Sequence, residues 1–265
     1  MDKWNATAAN YAQHLHQHTL LFSMDAVKLV RPHGKVLDMA CGSGALTQAL
    51  ISYKQKHSVE LDIVATDFSK EMTDIVSSKY KVTTMIQDSR DLKGLQDNSF
   101  NVVYSMFGFC CVGDHISACE SAYRVLVNKG TLIACMADKE KDFGKSYNGL
   151  ALAMGKLMKE HKHSTSGHGK EHDSTTGHGK EHGEMKKLKL ETFTDQLTKT
   201  GYKNVRTYVV AHTFVFETIQ DLLNTLKTSN LSFPDEKVIP VLRDYVGTQE
   251  PIALPHYANM IIAEK

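Results

Sequence analysis

The sequence predicts an α/β fold in which an open, mostly parallel sheet carries helices on both faces. Between Val36 and Met136, short apolar segments alternate with segments that have helical periodicity. Strands that alternate with helices pair in parallel through right-handed crossovers. The apolar segments show little period-two alternation, as expected for strands buried on both faces. A chain of 265 residues, 42% of them hydrophobic, is long enough to bury such a core.

The N-terminal region, residues 1–30, is predicted to be helical, because apolar residues recur at helical spacing until Pro32 and Gly34 interrupt the pattern. The strands predicted next are Val36–Leu37, Leu61–Ala65, Val82–Ile86, Phe100–Ser105 and Thr131–Met136. The helices predicted between them are Leu46–Tyr53, Lys70–Lys79 with Ser69 as N-cap, and one that begins after Asp114 and runs to Val127.

The C-terminal half contains a low-complexity segment. Residues 164–173 and 174–183 form a near-perfect tandem repeat without an apolar residue, so we expect 161–183 to be a disordered, His-rich insertion that adds nothing to the core. Its Gly residues oppose a stable helix, and we expect no functional metal site there. Later elements are predicted as helix Phe193–Gly201, strand Val205–Phe216, helix Ile219–Leu226 and a last strand at Tyr257–Ala263.

Composition limits the possible partners and surroundings. The formal net charge of +1 gives no general attraction to nucleic acid or to an anionic membrane. The five cysteines include no C-x-x-C pair, which favours reduced thiols. No apolar run is long enough to span a bilayer, and the N-terminus has no apolar signal core. We therefore expect a soluble, cytoplasmic protein, monomeric or homodimeric, that binds no nucleic acid and does not span a membrane.

A glycine-rich turn follows the first predicted strand, in the segment Asp38–Gly44. Small residues at Ala40, Gly42 and Gly44 allow a ligand to approach the backbone, and the N–H groups of the next helix face that ligand. Dinucleotides and S-adenosylmethionine both use this geometry. Asp38 would repel a pyrophosphate but suits the ammonium of a methionine-type ligand. Thr47 also occupies the position where a dinucleotide site would have its third glycine.

Further polar residues follow the next strands. Asp67, at the end of the second strand, can accept hydrogen bonds from both ribose hydroxyls, and Phe68 can lie against adenine. Asp88, beside Ser89, can accept from the adenine amino group. Ser105 follows the fourth strand at the edge where open α/β sheets bind ligands. The predicted cofactor-binding residues are Asp38, Ala40, Cys41, Gly42, Gly44, Asp67, Phe68, Asp88, Ser89 and Ser105.

These segments, with Ser99–Val103 and Glu120–Gly130, resemble class I S-adenosylmethionine-dependent methyltransferases of the small-molecule type, which includes the ubiquinone/menaquinone methyltransferases. The resemblance covers residues 30–137 well and 191–265 more weakly. Two positions depart from the family pattern: Ala40 replaces a glycine, and Asn128 replaces a proline. The resemblance implies a Rossmann-like, seven-stranded sheet with an antiparallel last strand, S-adenosylmethionine as methyl donor, and S-adenosylhomocysteine as product.

The resemblance also implies one methyltransferase domain over residues 1–265. It would comprise a helical cap (1–29), a cofactor-binding core (30–138), a second cap segment containing the insertion (139–190), and C-terminal strands with a cap helix (191–265). The acceptor, a small molecule methylated at O, N or C, would enter under these caps. Phe107 and Tyr11 are the expected substrate contacts. Tyr11, His16, Tyr147 and His212 are the candidate catalytic residues.

Two other functions remain open from the sequence. One is an NAD(P)-linked oxidoreductase, which the position of Asp38 disfavours because a pyrophosphate would lie beside a carboxylate. The other is a non-catalytic module that binds S-adenosylmethionine or a protein partner without turnover.

Overall fold

The computed structural model describes residues 2–138, 145–150, 153–154, 188–228 and 235–265. Seven strands form one sheet in the order β3-β2-β1-β4-β5-β7-β6. Only β7 runs against its neighbours in this sheet, because it pairs antiparallel with both β5 and β6 while the other pairs are parallel. The predicted Rossmann-like fold with an antiparallel last strand is confirmed. The repeat at 161–183 lies outside the described residues.

The strands and helices alternate through most of the chain. The strands are β1 (Gly34–Met39), β2 (Leu61–Asp67), β3 (Thr83–Ile86), β4 (Phe100–Met106), β5 (Leu126–Ala137), β6 (Lys203–Phe216) and β7 (Ile252–Glu264). The helices are α1 (Asp2–His14), α2 (His16–Leu29), α3 (Ala45–His57), α4 (Lys70–Lys79), α5 (His115–Val125), α6 (Leu190–Thr200), α7 (Ile219–Lys227) and α8 (Asp235–Val246). None of the described helices is both long and apolar enough to cross a membrane.

Helix capping behaves as the sequence predicts. The Ser69 side chain accepts a hydrogen bond from the Met72 backbone N–H and caps α4, and Asp114 caps α5 through the Ser117 N–H. At the other end of α6, Gly201 adopts a left-handed conformation with φ of 112° and ends the helix.

Several elements differ from prediction. Strand β5 begins at Leu126, whereas the helix before it was predicted to run to Val127 and the strand to begin at Thr131. The predicted N-terminal helix is divided at Leu15 into α1 and α2. The last strand begins at Ile252, earlier than the predicted Tyr257, because it pairs with β6 along almost its whole length. Helix α8 was not predicted; it contains Pro240, a residue that normally argues against a helix interior.

The sheet buries apolar side chains on both faces, which explains the lack of period-two alternation. Val36, Val102 and Ile133 belong to one core cluster, and their neighbours Leu37 and Val103 belong to the other. Helices α2, α3, α7 and α8 pack on the first face, and α5 and α6 pack on the second. The edge strand β6 is instead largely exposed along its first two thirds.

Arg124, on α5, forms several hydrogen bonds with the segment that precedes β4. The Arg124 guanidinium donates to the carbonyl oxygens of Asp91 (2.9 Å), Leu92 (2.9 Å) and Leu95 (3.0 Å), and it also pairs with the Asp97 carboxylate. These carbonyls belong to a loop without regular structure, and although Leu92 O also accepts from the Leu95 N–H, the Asp91 and Leu95 carbonyls rely on this side chain.

We expect Arg124→Ala to lower the free energy of unfolding by about 2 kcal/mol, since several charge-assisted hydrogen bonds are lost together. Urea unfolding followed by circular dichroism measures this change. Lys70→Ala is the matched control, because Lys70 forms an exposed ion pair with Asp74 within one helix and its loss should leave the midpoint unchanged. Equal midpoints for the two variants would contradict the role given to Arg124.

Candidate functional site

The predicted cofactor residues meet at the carboxyl ends of β1, β2 and β4. Strand β1 lies between β2 and β4, so the strand order reverses beside it, and open α/β sheets bind ligands at such a position. Asp38 lies near the end of β1, Asp67 ends β2, and Ser105 lies near the end of β4. The sheet topology therefore brings together side chains that are far apart in the sequence.

The turn after β1 has three residues with positive φ: Ala40 (59°), Gly42 (52°) and Gly44 (85°). A Cβ atom on Gly44 would lie 2.9 Å from the Tyr80 ring and 3.0 Å from Val76, so both conformation and space require glycine there. Ala40 takes a conformation that glycine adopts more easily, which explains why a glycine is usual at this position in the family that the sequence resembles. The turn leads directly into α3, whose first N–H groups point toward the edge of the sheet.

Asp38 is a buried carboxyl group, only 1% exposed. It accepts a hydrogen bond of 2.6 Å from the Thr47 hydroxyl. Burial, with a smaller contribution from the nearby Asp67, raises the pKa of Asp38 to about 7, although hydrogen bonds from Thr47 oppose the shift. No cationic side chain among the described residues forms an ion pair with Asp38. The site is thus prepared for a cationic ligand group.

Asp67 is held by the loop and by the start of α4. One carboxylate oxygen accepts from the Gly42 N–H at 2.9 Å, and the other accepts from the Ser69 N–H at 2.9 Å. Burial raises the pKa of Asp67, and these backbone hydrogen bonds oppose that shift. Each carboxylate oxygen can accept more than one hydrogen bond, so acceptor capacity remains for two ligand hydroxyls. Phe68 follows and is partly exposed.

The remaining predicted cofactor residues differ in their surroundings. Asp88 is partly exposed and accepts hydrogen bonds from the Arg90 side chain, which lowers the pKa of Asp88. Ser89 is buried, and its carbonyl oxygen accepts from the Ser121 hydroxyl of α5. The Ser105 hydroxyl is fully buried without a hydrogen-bond partner among the described residues. A buried hydroxyl without a partner is costly, so this group also fits a polar ligand atom.

The N-terminal helices close over the loop. The Tyr11 ring lies 3.7 Å from the position that a Cβ of Gly42 would occupy, and the Tyr11 hydroxyl hydrogen bonds with Thr19 Oγ1 at 3.2 Å. Burial raises the pKa of Tyr11 to about 12. Asn5 adds a second attachment by accepting from the Ser69 hydroxyl at 2.7 Å.

His16, on α2, connects the same helices to α3. Its Nδ1 hydrogen bonds with the Ser43 hydroxyl at 2.9 Å, and its Nε2 hydrogen bonds with Gln48 Oε1 at 2.8 Å. With both ring nitrogens occupied and the side chain buried, this geometry favours a positioning role for His16 over proton transfer. Gln48 and Thr47 were not predicted as site residues; their positions in the first two turns of α3, next to the glycine turn, were the available signal.

A second group of predicted residues lies at the neighbouring part of the edge. Phe107 follows β4, and its ring is perpendicular to Phe22 at 5.4 Å and stacked on His256 at 5.9 Å. Tyr147 lies 5.2 Å from the His256 ring. His212 Nε2 lies 2.7 Å from an Asp25 carboxylate oxygen. The structure thus brings Phe107, Tyr147 and His212 close together. His16 lies apart from them and contacts the glycine turn instead.

Comparison with known proteins is consistent with this geometry. A family model described as "Methyltransferase domain" matches residues 37–134, which include β1, the glycine turn, β2 and β4. No curated protein sequence matches the chain.

Solved structures share the fold. A putative methyltransferase from Bacillus halodurans is 16% identical with a TM-score of 0.59, covering 93% of this chain and 98% of that one. The YcgJ protein from Bacillus subtilis is 14% identical with a TM-score of 0.58, covering 94% and 98%. A phosphoethanolamine N-methyltransferase 2 from Haemonchus contortus, solved with S-adenosylhomocysteine, is 15% identical with a TM-score of 0.51, covering 94% of this chain and 52% of that one.

The raised pKa of Asp38 predicts a pH-dependent affinity for S-adenosylhomocysteine, whose ammonium requires an ionised partner. Below about pH 7 Asp38 becomes protonated, so affinity should fall about tenfold between about pH 8 and about pH 6. Titration calorimetry at several pH values measures this change. Asp38→Asn should bind weakly with no pH dependence in this range. A pH-independent affinity in the unmodified protein would contradict the assignment.

The hydrogen bonds of His16 predict that His16→Ala lowers the free energy of unfolding by about 1–2 kcal/mol, because Ser43 and Gln48 lose a buried partner. His33→Ala, at an exposed position, is the control and should leave stability unchanged. His16→Gln, which keeps hydrogen-bonding capacity, should retain most turnover. A loss of roughly 10²-fold or more in kcat for His16→Gln, with unchanged S-adenosylhomocysteine affinity, would instead identify a general base.

Proposed function

We propose that the chain is a class I S-adenosylmethionine-dependent methyltransferase that methylates a small-molecule acceptor at O, N or C. The methyltransferase family model over residues 37–134 and the fold shared with solved methyltransferases support this proposal. The observation that carries this proposal is the enclosure of the site. The N-terminal helices are fastened over the glycine turn through Tyr11, His16 and Asn5, and Phe107 and Tyr147 face buried neighbours. A site that is covered in this way suits a compact acceptor better than a polymer.

The arrangement of charges supports the placement of the methyl donor. We propose that the ammonium group of S-adenosylmethionine binds beside Asp38, that its ribose hydroxyls donate to Asp67, and that its adenine lies near Phe68 and Asp88. Ser105 and the backbone of Ala40–Gly44 would complete the contacts. The buried carboxyl of Asp38 disfavours an NAD(P)-linked oxidoreductase, because a pyrophosphate would lie next to it.

The protein's contribution to methyl transfer is position and exclusion of water. Bound S-adenosylmethionine supplies the activated methyl group on its sulfonium sulfur. The glycine turn, Asp38 and Asp67 hold the donor in a fixed orientation, so that an acceptor bound over the carboxyl edge lies in line with the methyl group. The helices α1 and α2 cover this edge and exclude water. A general base is needed only for acceptors that are protonated at the working pH.

Other features of the proposed function come from the composition. The protein is proposed to act in the cytoplasm as a monomer or a homodimer, and its balanced charge gives no general attraction to nucleic acid. Proteins with this fold include enzymes named for small amines, such as the phosphoethanolamine N-methyltransferase 2 of Haemonchus contortus. At this level of sequence identity, the similarity shows a shared fold.

Incubation with methyl-labelled S-adenosylmethionine and a metabolite extract, followed by mass spectrometry, tests the proposal. We expect label in a low-molecular-weight product. Label found only in protein or nucleic acid would contradict a small-molecule acceptor. Tight S-adenosylhomocysteine binding with no labelled product in any fraction would favour a non-catalytic module, and tight NAD binding without S-adenosylhomocysteine binding would favour an oxidoreductase.

Asp67→Ala should weaken S-adenosylhomocysteine binding by about 1.5–3 kcal/mol, the range of hydrogen bonds to a charged acceptor. Asp62→Ala is the matched control, since Asp62 lies on the same strand but is exposed and pairs only loosely with Lys35 at 3.7 Å. Titration calorimetry measures the S-adenosylhomocysteine affinity of both variants and so distinguishes the effect of Asp67 from that of an exposed carboxylate on the same strand. Equal affinities for Asp67→Ala and Asp62→Ala would contradict the ribose assignment.

A further inference from the structure

Three histidines and four aromatic side chains form one group between α2, β6, β7 and the end of β4. We call it the imidazole cluster; its members are His18, His212, His256, Phe22, Phe107, Phe214 and Tyr147. His18 is stacked on Phe214 with ring centroids 3.9 Å apart. His212 and His256 are directly paired across β6 and β7. Such a concentration of imidazoles among aromatic rings is not required for packing, which apolar side chains achieve without polar atoms.

Two nitrogen atoms of the imidazole cluster have no hydrogen-bond partner within the described part of the chain. They are Nδ1 of His18 and Nδ1 of His256, and both atoms are buried. His256 is 9% exposed, so no open path to water satisfies it. Burial lowers the pKa of His18 to about 4 and that of His256 to about 3, which keeps both rings neutral. Each ring thus offers one hydrogen-bonding position to a buried, uncharged ligand group.

The third histidine differs because it has a carboxylate partner. His212 Nε2 lies 2.7 Å from Asp25 Oδ2, and the other Asp25 oxygen accepts from Lys28 at 3.1 Å at the surface. A carboxylate on one ring nitrogen orients the imidazole and stabilises the cation formed when the other nitrogen takes a proton. His212 Nδ1 is therefore the atom of the cluster that is prepared to remove a proton.

The cluster adjoins the proposed methyl-donor site through the turn after β4. A Cβ atom on Gly108 would lie 2.8 Å from the Ala40 side chain and 2.5 Å from the Ser105 hydroxyl, so Gly108 is in close contact with the glycine turn. Phe107, the preceding residue, places its ring against Phe22 and His256. Phe107 therefore belongs to the cluster, and the next residue, Gly108, contacts the glycine turn.

We propose that the imidazole cluster is the acceptor site and that it takes a planar aromatic molecule carrying a hydroxyl group. This inference rests on the proposed function. Phe107, which is partly exposed, supplies a ring contact for an aromatic acceptor, and Phe22 and Phe214 are buried core side chains of the cluster. His18 and His256 supply the two neutral hydrogen-bonding positions for its polar substituents. The charged or titratable groups that face the cluster are Asp25 with Lys28, the three histidines, Tyr147 and Tyr11.

The reaction at this site balances without a further reagent. The acceptor oxygen forms a bond to the methyl carbon as the carbon–sulfur bond breaks, and the electron pair of that bond stays on sulfur, giving the neutral thioether. The hydroxyl proton moves to His212 Nδ1, while Asp25 holds the resulting imidazolium. The products are an aryl methyl ether, S-adenosylhomocysteine and a proton that is later released to water.

A defined acceptor library tests the substrate class. The full chain is incubated with methyl-labelled S-adenosylmethionine and, in parallel, with hydroxylated aromatics (phenol, 2-naphthol and 4-hydroxybenzoate among them), the matched aromatic amines, and aliphatic amines. We expect labelled aryl methyl ethers. Label only in amines, or no methylation of any hydroxylated aromatic, overturns this inference. S-Adenosylhomocysteine binding, measured on the same sample, shows separately whether the proposed function itself has failed.

Substitutions test the roles within the cluster, with the best hydroxylated acceptor from that library. His212→Gln should lower kcat by roughly 10²-fold or more with little change in KM, and the acidic limb of the pH–rate profile should disappear. Asp25→Asn should lower kcat less and move that limb. His33→Gln, at an exposed position, is the control and should behave as the unmodified protein. Unchanged kcat and an unchanged pH profile in His212→Gln overturn the role of His212.

His256→Phe keeps a ring of similar size but removes the buried nitrogen. We expect unchanged or higher thermal stability, because an unsatisfied polar atom is replaced by carbon, together with a rise in KM of about tenfold. A purely structural His256 would show no change in KM, and that result would overturn its assignment to the acceptor site. This variant also keeps the inference testable if His212→Gln does not fold.

Discussion

The burial of two carboxyl groups, Asp38 and Asp67, at one edge of the sheet is the constraint on which the site depends. Both lie at the ends of central parallel strands, where water is excluded by the turn and by α1 and α2. The Gly42 and Ser69 N–H groups and the Thr47 hydroxyl hold these carboxyls in place. No ion pair within the described residues stabilises the ionised form of either carboxyl, and burial raises the pKa of both, so a cationic group beside Asp38 would favour its ionised form.

The N-terminal helices follow from the same constraint. A glycine turn beside buried carboxyls needs a cover, and α1 and α2 provide it through polar contacts with residues of the turn and of α3 and α4. His16 links the N-terminal helices to the turn and to α3, because its imidazole hydrogen bonds with both Ser43 and Gln48. The donor site and its cover are therefore one structural unit, although the cover precedes the domain that the family model matches.

The fold could be predicted to a large extent from local signals. The apolar strands, the caps at Ser69 and Asp114 and the stop at Gly201 depend on short-range physics, namely burial periodicity and backbone hydrogen bonding. Helix α8 was not predicted because Pro240 is unfavourable inside a helix. In the tertiary structure, the packing of Val238 and Leu242 stabilises this helix. The residues proposed for the cofactor could be chosen from the sequence because they lie at or just after strand ends, and parallel topology places all such ends on one edge.

The sequence by itself determined the order of strands and helices, the glycine turn and the acidic residues that follow each strand, because all of these are encoded within a few residues. Only the tertiary structure decided which side chains meet across the chain. The contact between Asp25 and His212 joins residues separated by 187 positions, and the His212–His256 pairing depends on the register of two antiparallel strands. No local pattern specifies such contacts, since they arise only when the sheet is assembled and α2 is packed on its face.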